Sequence, residues 1–512
     1  MDVLYLFFRL SFRLTALVAT LALRLVLVLL GGALRLLSLA STTFGSARWA
    51  RLYELLWGGV WGGDGIIVGK AGGRLLRFNQ DGYAILFAPT RSGKGVGVVV
   101  PNLLTYRGSV ICSDPKGENS AIAARYRATL GPTVTLNAIR PELSDTFNPL
   151  DMVRTGTYHE ADDALELAKL LVIPDSSNGG HWDNRATQLL QGLILYTCLR
   201  YREVPELRNL AKVRSLVALG WDGLEPVIDE ASRLGSTSLR EIMTGFKSLA
   251  ASEEAKSVMS NADKAMSLWA ADRPAGMISL TSSFDFCDFN RRTMTCFIMV
   301  DEEKLPIYGG FLRVMMGCAL MAMTRAKHEA PPPVPTLFLL DEAAALGRIE
   351  PLETGVGYLA SYARLLLVFQ DLDQLQRTYP KARSMIANAG CKIAFGVNDP
   401  ETAKMLADSI GHCTTTSHSA GQSQRSLDLT DYQQSRGLNE AGRYLIDPSE
   451  IMRLPRNRAL ILFNGAVRFP VLAHKVRYFK VWRWKGRWDP WRALRRDNVV
   501  TLFPESHRQN AA

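Results

Sequence analysis

The amino-acid sequence predicts an α/β fold with an N-terminal transmembrane helix. Two apolar runs, Tyr83 to Phe87 and Thr336 to Leu340, have the continuous hydrophobic pattern of buried parallel strands. Each of these runs ends in residues that suit nucleotide binding. The region from Leu14 to Leu39 consists mainly of Leu, Val and Ala, and it is long enough for the ~20-residue helix that spans a bilayer.

Length and composition indicate a folded protein of two or three domains. The chain has 512 residues, of which 47% are hydrophobic and 21% charged, and this excludes a disordered chain. The net charge of +11 suits a nucleic acid or an anionic membrane surface equally well, and also a basic protein with neither partner. The seven cysteines form no CxxC pair and the seven histidines no HExxH motif. We therefore expect no disulfide framework, no zinc site and a reducing compartment.

Arginines interrupt the N-terminal apolar region at a regular spacing. Arg13, Arg24 and Arg35 are eleven residues apart, and Arg9 lies one helical turn before Arg13, so all four fall on one stripe of a helix. The stripe indicates either a polar seam that faces other helices or a pore, or arginines that snorkel at both ends. A helix lying in the membrane interface is a third alternative. No cleavage site follows cleanly, which favours an anchor over a signal peptide.

The first strand leads into a glycine-rich loop, residues 88–95, with the sequence APTRSGKG. In a phosphate loop, backbone N–H groups surround the phosphates and a lysine reaches the β and γ oxygens at a helix N-terminus. Ala88 replaces the usual first glycine, and Gly95 replaces the Ser or Thr whose hydroxyl would contact Mg²⁺. An ordinary glycine-rich turn is therefore the alternative when this loop is considered alone. The predicted nucleotide-binding residues are Thr90, Arg91, Ser92, Gly93, Lys94, Gly95 and Val96.

The second strand ends in two carboxylates, Asp341 and Glu342. Ligands of open α/β sheets bind at the carboxyl ends of strands, so we expect both carboxylates to face the phosphate loop. Asp341 is predicted to hold Mg²⁺, and Glu342 to orient or deprotonate the attacking water. Gln370, at the end of a further apolar run, is expected to sense the γ-phosphate, with a simple strand-end cap as the alternative. Together with Lys94, these residues predict hydrolysis of ATP.

These motifs resemble those of the coupling proteins of type IV secretion and conjugation systems, the TraG/TraD-like group of RecA-like P-loop ATPases. The likeness runs from about Phe44 to Tyr478. Members of this group often carry glycine at the place of Gly95. The segments that carry the likeness are, in order, 45–50, 88–95, 114–119, 147–151, 339–342, Gln370 with 374–375, and 448–454.

The resemblance implies an inner-membrane ATPase that binds ATP and Mg²⁺, assembles as a hexameric ring and has most of its chain in the cytoplasm. It implies recruitment of a relaxase-bound single DNA strand, or of protein effectors, to the inner-membrane proteins of a secretion channel. It further implies an all-α domain inserted in the nucleotide-binding fold. The expected organisation is a membrane anchor at 1–45, a nucleotide-binding domain at 46–151 and 276–512, and the inserted all-α domain at 152–275. Two transmembrane helices are usual in the group, whereas this sequence has room for about one.

A ring motor often completes each site with an arginine from the neighbouring subunit, which neutralises charge in the transition state. Arg364 is the first candidate for this role, and Arg443 and Arg348 are alternatives. An ordinary surface arginine is the competing interpretation for each of them. Two other functional hypotheses stay open: a docking receptor that binds nucleotide but does little motor work, and a chromosome-segregating DNA translocase. The segments 114–118 and 147–151 argue against the translocase.

Two further segments are expected to contact the substrate. Residues 414–443 are rich in Ser, Thr, Gln and Gly and predict a mobile loop, which either faces a channel or is an idle insertion. Residues 475–496 interleave Lys and Arg with four tryptophans, and such rings stack on unpaired bases for ~1–3 kcal/mol each. A membrane-facing surface or a hairpin packed on the domain would give the same pattern. The tryptophans are Trp482, Trp484, Trp488 and Trp491.

Overall fold

The computed structural model describes residues 24, 42–80, 82–173, 181–247, 253–326, 332–354, 359, 362–424 and 432–491. The predicted membrane anchor from Leu14 to Leu39 lies outside the described residues, except for Arg24, which is helical and exposed. Any seam formed by the other arginines of that region therefore stays a prediction.

An eleven-stranded sheet forms the centre of the described chain. Its strands are β1 (Ile66–Ala71), β2 (Arg74–Phe78), β3 (Tyr83–Phe87), β4 (Val110–Asp114), β5 (Thr133–Asn137), β6 (Thr295–Met299), β7 (Thr336–Leu340), β8 (Ala363–Phe369), β9 (Cys391–Ala394), β12 (Arg458–Phe463) and β13 (Val471–His474), and a separate pair is formed by β10 (His412–Gln424) and β11 (Tyr432–Tyr444). The spatial order is β2-β1-β13-β12-β9-β3-β8-β7-β4-β6-β5. The strands from β9 to β5 pair in parallel, whereas β12, β13, β1 and β2 extend the sheet antiparallel.

The central strands are buried on both faces, which explains their uninterrupted apolar sequences. All five residues of β3, β4, β6 and β7 are buried. Along β3, Tyr83, Ile85 and Phe87 contribute to one apolar core, and Ala84 and Leu86 contribute to the other. This alternation is the period of two that a strand imposes on its side chains. Covering both faces is also what makes a parallel sheet stable in water.

Helices cover the two faces of the sheet. Between β5 and β6 the described residues contain helices and no strand, which agrees with the helical content that the family resemblance implies for this segment. The boundaries 152–275 of a separate domain stay a proposal. The helices are α1 (Leu52–Trp57), α2 (Val100–Leu103), α3 (Glu118–Ala128), α4 (Glu160–Leu171), α5 (His181–Arg200), α6 (Leu210–Val217), α7 (Gly220–Ala231), α8 (Thr237–Lys247), α9 (Glu253–Met266), α10 (Pro274–Ile278), α11 (Asp288–Arg291), α12 (Leu305–Arg325), α13 (Glu350–Thr354), α14 (Leu372–Thr378), α15 (Ala382–Asn388), α16 (Pro400–Ile410) and α17 (Pro448–Met452).

Helix α12 runs through the core on one side of the sheet. Within the described ranges, the segment Glu302–Arg325 is the one helix with the length and apolar composition of a membrane span. Its most apolar window is 72% buried inside the protein, which is the environment of a core helix. The described residues therefore give no support for placing this helix in a membrane.

The buried carboxylate of Asp163 joins the first helix after β5 to the end of α12. The guanidinium of Arg154 donates to Asp163 from Nε and Nη2 at 2.8 Å each, and Arg325 Nη2 lies 2.8 Å from Asp163 Oδ1. Burial raises the pKa of the Asp163 carboxyl, but the hydrogen bonds from Arg154 and the charge of Arg325 outweigh burial, so the pKa lies below its ordinary value. Asp163 is thus charged at neutral pH and paired on two sides.

The prediction of a mobile loop over 414–443 is wrong for the residues that the structure describes. Strands β10 and β11 pair in register from His412 and Tyr444 to Gln424 and Tyr432. Backbone pairing needs no apolar side chains, so the polar composition concealed this ribbon. Its base is fixed by a stack of His412 on Tyr444, whose ring centroids are 4.2 Å apart. Residues 425–431, which lie between the two strands in sequence, are outside the described chain.

We predict that Asp163→Asn lowers the free energy of unfolding by about 3 kcal/mol, because it leaves two guanidinium groups without their buried partner. The measurement is chemical denaturation of the purified full-length protein, with Asp162→Asn on the exposed face of the same helix as the control. Because the pKa of Asp163 is lowered in the folded state, its contribution is present at neutral pH. The difference between wild type and variant should shrink as the pH falls below about 4. An unchanged unfolding curve would contradict this role.

Candidate nucleotide-binding site

The order of the central strands brings the predicted motifs to one edge of the sheet. Strand β8 lies between β3 and β7, and β4 lies on the other side of β7. All four strands are parallel, so their carboxyl ends meet at the same edge. The phosphate loop follows β3, Gln370 follows β8, Asp341 follows β7, and Asp114 ends β4. An open α/β sheet binds its ligands at this edge.

The loop after β3 has the backbone geometry of a tight turn that leads into a helix. Arg91 and Gly93 have positive φ values of 62° and 88°. Ser92 N donates to Pro89 O at 3.1 Å, and Gly97 N donates to Gly93 O at 2.8 Å, which begins a π-helical turn over Gly95–Val99 before α2. The helix N-terminus thereby points its unpaired N–H groups into the loop, where an anionic phosphate is favoured. The predicted loop residues Thr90 and Arg91 are exposed, and Ser92 and Val96 are half-buried.

The space that a side chain at Gly95 would occupy is empty of other protein atoms. A Cβ atom added at this position would meet no heavy atom within 4 Å. The structure therefore has room for the Ser or Thr side chain that is usual in a phosphate loop, and the departure at Gly95 removes a hydroxyl without reshaping the turn. A metal ion must be held by other groups here.

Lys94 and the two carboxylates after β7 are in contact, although 247 residues separate Lys94 from Asp341 in the chain. The Lys94 ammonium donates to the Glu342 carboxylate and lies 3.4 Å from Asp341 Oδ1. Burial lowers the pKa of Lys94, but the two carboxylates outweigh it, so the pKa is raised. Burial raises the pKa of Asp341, and Lys94 opposes that rise. The three groups form one electrostatic unit that is largely shielded from water.

Gln370 joins this unit through its side chain. Its Nε2 donates to the Glu342 carboxylate, and its backbone N donates to Gln374 Oε1 at 2.7 Å. Glu342 itself has a positive φ of 74°, an uncommon conformation for a residue with a side chain. The left-handed turn directs the Glu342 carboxylate towards both Lys94 and Gln370. Gln370 is thus placed to respond when the contacts of Glu342 change.

Asn119, near the start of the helix α3 that follows β4, supports the metal-binding candidate Asp341, and no role for it was predicted from the sequence. Asn119 Nδ2 donates to Asp341 Oδ2 at 3.3 Å, and Ser113 Oγ donates to the Asp341 backbone oxygen at 3.0 Å. Asp114 accepts from the backbone N of Asn119 and of Ser120, which fixes the start of α3. Burial raises the pKa of Asp114 to about 6, and backbone hydrogen bonds oppose that rise. Asn119 belongs to the segment 114–119 that carries the family likeness, and this is the sequence signal that could have indicated its role.

The carboxylate of Asp341 fits a magnesium ion that is bound together with a nucleotide. Its Oδ1 is buried and has no hydrogen-bond partner among the described residues, while Asn119 occupies its Oδ2. In the described ranges no group of three or more His, Cys, Asp or Glu side chains forms a cage for a metal ion. Mg²⁺ is commonly held by one or two carboxylates together with substrate phosphates and water. Asp341 would hold the ion, and the phosphates would complete its coordination.

Arg364, the first of the three arginine candidates, lies away from this site in its own chain, and the other two are paired with glutamates. Arg364 is at the amino end of β8, roughly 20 Å along the strand from Gln370, and it donates to Asp64 O at 2.6 Å. Arg348 pairs with the buried Glu353 at 2.7 Å, and Arg443 lies 3.2 Å from Glu450. Among the described residues, no hydrogen bond or ion pair joins any of these arginines to Lys94, Asp341 or Glu342. A role in a neighbouring subunit stays a prediction.

Comparison with protein families and curated relatives agrees with this geometry. The family described as type IV secretory system conjugative DNA transfer matches residues 43–501. The protein VirD4 of Rhizobium rhizogenes is 26% identical over 450 residues, which cover 85% of this chain and 65% of that protein. The conjugal transfer protein TraG of Escherichia coli is 28% identical over 405 residues, which cover 74% of this chain and 63% of that protein. The chain spans just under two thirds of the length of these relatives.

Solved structures share the fold. The bacterial conjugative coupling protein TrwBdeltaN70 in its unbound form aligns with a TM-score of 0.61 at 16% identity, over 86% of this chain and 96% of that chain. TrwB in complex with the ATP analogue ADPNP aligns at 0.59 and 16% identity, over 84% and 96% of the two chains. TrwB in complex with ADP and Mg²⁺ aligns at 0.59 and 15% identity, over 84% and 93%. The α/β fold expected from the sequence is confirmed.

We predict that Asn119→Ala weakens Mg²⁺-dependent nucleotide binding by about 10- to 100-fold, because it removes the side chain that orients Asp341. The measurement is a Mg²⁺ titration of fluorescent mant-ATP binding to the full-length protein. Lys116→Ala is the control, since Lys116 is exposed in the same segment and pairs with Glu302 at 3.0 Å. A magnesium midpoint equal to that of wild type would show that Asn119 does not support the metal site.

Proposed function

Since the chain belongs to the type IV secretory system conjugative DNA transfer family, we propose that it is a coupling ATPase. It binds ATP with Mg²⁺, hydrolyses it and drives the transfer of a relaxase-bound single DNA strand, or of protein effectors, into a type IV secretion channel. One observation carries the ATPase part of this proposal. Lys94 of the phosphate loop contacts the carboxylates of Asp341 and Glu342 at a shared strand edge.

In the proposed mechanism, Lys94 and Glu342 change their contacts when the nucleotide binds. Lys94 donates to the Glu342 carboxylate, so a triphosphate that binds Lys94 would replace this contact and free the carboxylate. The freed carboxylate then accepts a hydrogen bond from the attacking water and orients it towards the γ-phosphorus. A bound Mg²⁺ at Asp341 would neutralise charge on the phosphate oxygens. The exposed fractions of the Lys94, Asp341 and Glu342 side chains are only 16%, 14% and 20%, which keeps these interactions strong.

Gln370 links hydrolysis to motion of the protein. Its side-chain amide donates to the Glu342 carboxylate. Gln370 follows β8, which lies between β3, the strand before the phosphate loop, and β7, the strand before Asp341. Loss of the γ-phosphate returns Lys94 to Glu342, which changes the hydrogen bonding of Gln370 and of Gln374 behind it. Helix α14, which contains Gln374, would carry that change away from the nucleotide.

The cellular setting is part of the same proposal. We place the protein at the bacterial inner membrane through the anchor at 1–45, with the bulk of the chain in the cytoplasm. A homo-oligomeric ring, hexameric in the simplest form, would let Arg364, which lies on the opposite edge of the sheet, act on a neighbouring subunit. The inner-membrane proteins of the channel and a relaxase or effector complete the set of partners.

A basic surface supports contact with single-stranded DNA. A cavity of about 710 Å³ on the side away from the nucleotide edge is lined by four arginines and a single carboxylate, Asp64. Trp482, next to this cavity in sequence, is 83% exposed, whereas Trp484 is 4% exposed and Trp488 packs against the core. Of the tryptophans expected to stack on bases, Trp482 is the one that is free to do so. The arginines are Arg77, Arg107, Arg483 and Arg487.

The second candidate function is a nucleotide-binding docking receptor for secreted proteins. The observation that favours it is the missing hydroxyl at Gly95, which leaves the metal with one protein ligand fewer than usual. Slow hydrolysis would follow from that loss. The two candidates differ in whether hydrolysis, as distinct from nucleotide binding, is needed for transfer.

We predict that Glu342→Gln lowers the rate of ATP hydrolysis by about 100-fold or more, because an amide does not accept the proton of the attacking water. Binding of mant-ATP should persist in Glu342→Gln and be lost in Lys94→Ala. Hydrolysis is measured as phosphate release by full-length protein in nanodiscs, with and without single-stranded DNA. A Lys94→Ala protein that hydrolyses ATP like wild type would remove the basis of the proposal.

The same two variants separate the motor from the docking receptor in a mating assay between donor and recipient cells. A motor requires that both variants abolish transfer. Transfer that survives Glu342→Gln but not Lys94→Ala would assign the docking function instead.

We predict that Trp482→Ala weakens the binding of a fluorescent single-stranded oligonucleotide by about tenfold, since one base–aromatic stack contributes ~1–3 kcal/mol. Fluorescence anisotropy without nucleotide gives the affinity. Trp57→Ala, which removes another exposed tryptophan from α1, is the control and should bind like wild type. Equal affinities for both variants would favour packing as the role of the C-terminal segment.

A further inference from the structure

A second lysine reaches the phosphate loop from the far end of the chain. Lys475 directly follows β13, and its Nζ donates to the backbone oxygen of Ser92 at 2.7 Å. Its backbone N donates to Asn457 O at 2.8 Å, so the residue is fixed at both ends. Lys475 begins the basic segment 475–496, which is predicted from the sequence to contact substrate. The structure places its ammonium at the nucleotide edge.

The surroundings hold the Lys475 side chain in one position. Its Nζ lies 4.6 Å from the centroid of the buried Phe395 ring, at the end of β9. Its stem runs along the loop: a Cβ at Gly97 would lie 3.9 Å from Lys475 Cβ and Cδ, and a Cβ at Gly93 would lie 3.9 Å from Nζ. The lysine therefore packs against the two glycines at the start of the helix. These contacts hold the Lys475 side chain beside Ser92.

The geometry of the peptide group gives this contact a function. The carbonyl of Ser92 and the N–H of Gly93 belong to one planar trans unit and point in opposite directions. Holding the carbonyl on the Lys475 side therefore aims the Gly93 N–H to the opposite side, into the loop. Among the described residues the Gly93 N–H donates to no protein acceptor. Such free backbone N–H groups are what a phosphate loop offers to its ligand.

Charge adds to this effect. Lys94 is paired with two carboxylates, whereas no carboxylate pairs with Lys475 in the described part of the chain. Burial lowers the pKa of Lys475, and the charges of Arg477 and Arg456 lower it further. An unpaired ammonium beside the loop makes the local potential positive for an entering triphosphate.

We propose that Lys475 is a positioning residue of the nucleotide site, which orients the Gly93 N–H through the Ser92 carbonyl and attracts the phosphates of the nucleotide. The proposal rests on the nucleotide site of the proposed function. Lys475, the first residue of the basic segment 475–496, would then be part of the nucleotide site.

The test is equilibrium binding of mant-ADP with Mg²⁺ to the full-length protein, which needs no hydrolysis. Lys475→Met should weaken binding by about tenfold, because a charge-assisted hydrogen bond and a positive charge are lost together. Lys475→Arg, which keeps a donor and the charge, should stay within about threefold of wild type. Lys480→Met, an exposed lysine five residues later, is the matched control and should bind like wild type.

Steady-state kinetics separate positioning from a loss of folded protein. Removing a contact that acts on bound phosphates throughout the reaction raises KM about tenfold and changes kcat by less than about threefold. Binding by Lys475→Met equal to wild type, with Lys94→Ala inactive in binding, would overturn the role of Lys475. A Lys475→Arg protein as weak as Lys475→Met would overturn it as well. Wild-type binding by Lys94→Ala would instead refute the nucleotide site itself.

Discussion

The parallel pairing of β3, β8 and β7 is the constraint on which the nucleotide site depends. Each strand fixes one group at its carboxyl end: the phosphate loop, Gln370 and the Asp341–Glu342 pair. Because neighbouring strands are only ~5 Å apart, groups that follow adjacent strands at the same edge are brought within reach of one another. A one-residue change of register would turn every buried side chain to the other core. Packing of the two apolar cores therefore fixes the register of the strands, and the register fixes where the polar groups of the nucleotide site lie.

The site balances charge through contacts that a nucleotide can replace. Two carboxylates, Asp341 and Glu342, contact the Lys94 ammonium, and Asp114 interacts with Asp341; burial raises the pKa of Asp114 and of Asp341. Removing these groups from water is costly unless each has a partner. Backbone N–H groups donate to Asp114, and Asn119 donates to Asp341 Oδ2. The charge of Lys94 lies 3.4 Å from Asp341 Oδ1 without a hydrogen bond to it. Lys94 and Gln370 donate to the Glu342 carboxylate. The one oxygen left without a hydrogen bond, Asp341 Oδ1, is the atom that fits a metal ion.

The sequence predicted the parts of the fold that depend on local pattern. The runs 83–87 and 336–340 appear as β3 and β7, and the expected family membership is confirmed by the match over residues 43–501. Pattern alone missed the ribbon of β10 and β11, whose residues are mostly polar. The ribbon depends on backbone pairing between strands, which no local preference encodes.

The partners of the site residues were harder to predict than the residues themselves. Lys94 and Asp341 stand in sequence motifs, whereas the contact of Lys475 with Ser92 joins positions 383 residues apart. Only the order β13-β12-β9-β3 brings these positions near each other. The roles of the arginines depend on a neighbouring subunit, which the fold of one chain does not define. The predicted anchor at 1–45 lies almost entirely outside the described residues.

The attachment of the N-terminal segment determines how mechanical tension passes through the molecule. Ala47 N donates to His412 O at 3.0 Å and Ala50 N donates to Pro470 O at 2.8 Å, so the chain is first tied to the base of the ribbon and to the start of β13. If the N-terminal segment is anchored in a membrane, as proposed above, a pull on it would load β13, whose other end is continuous with Lys475. The helices between β5 and β6 would not carry this force. The pull would act beside the phosphate loop, which Lys475 contacts at Ser92.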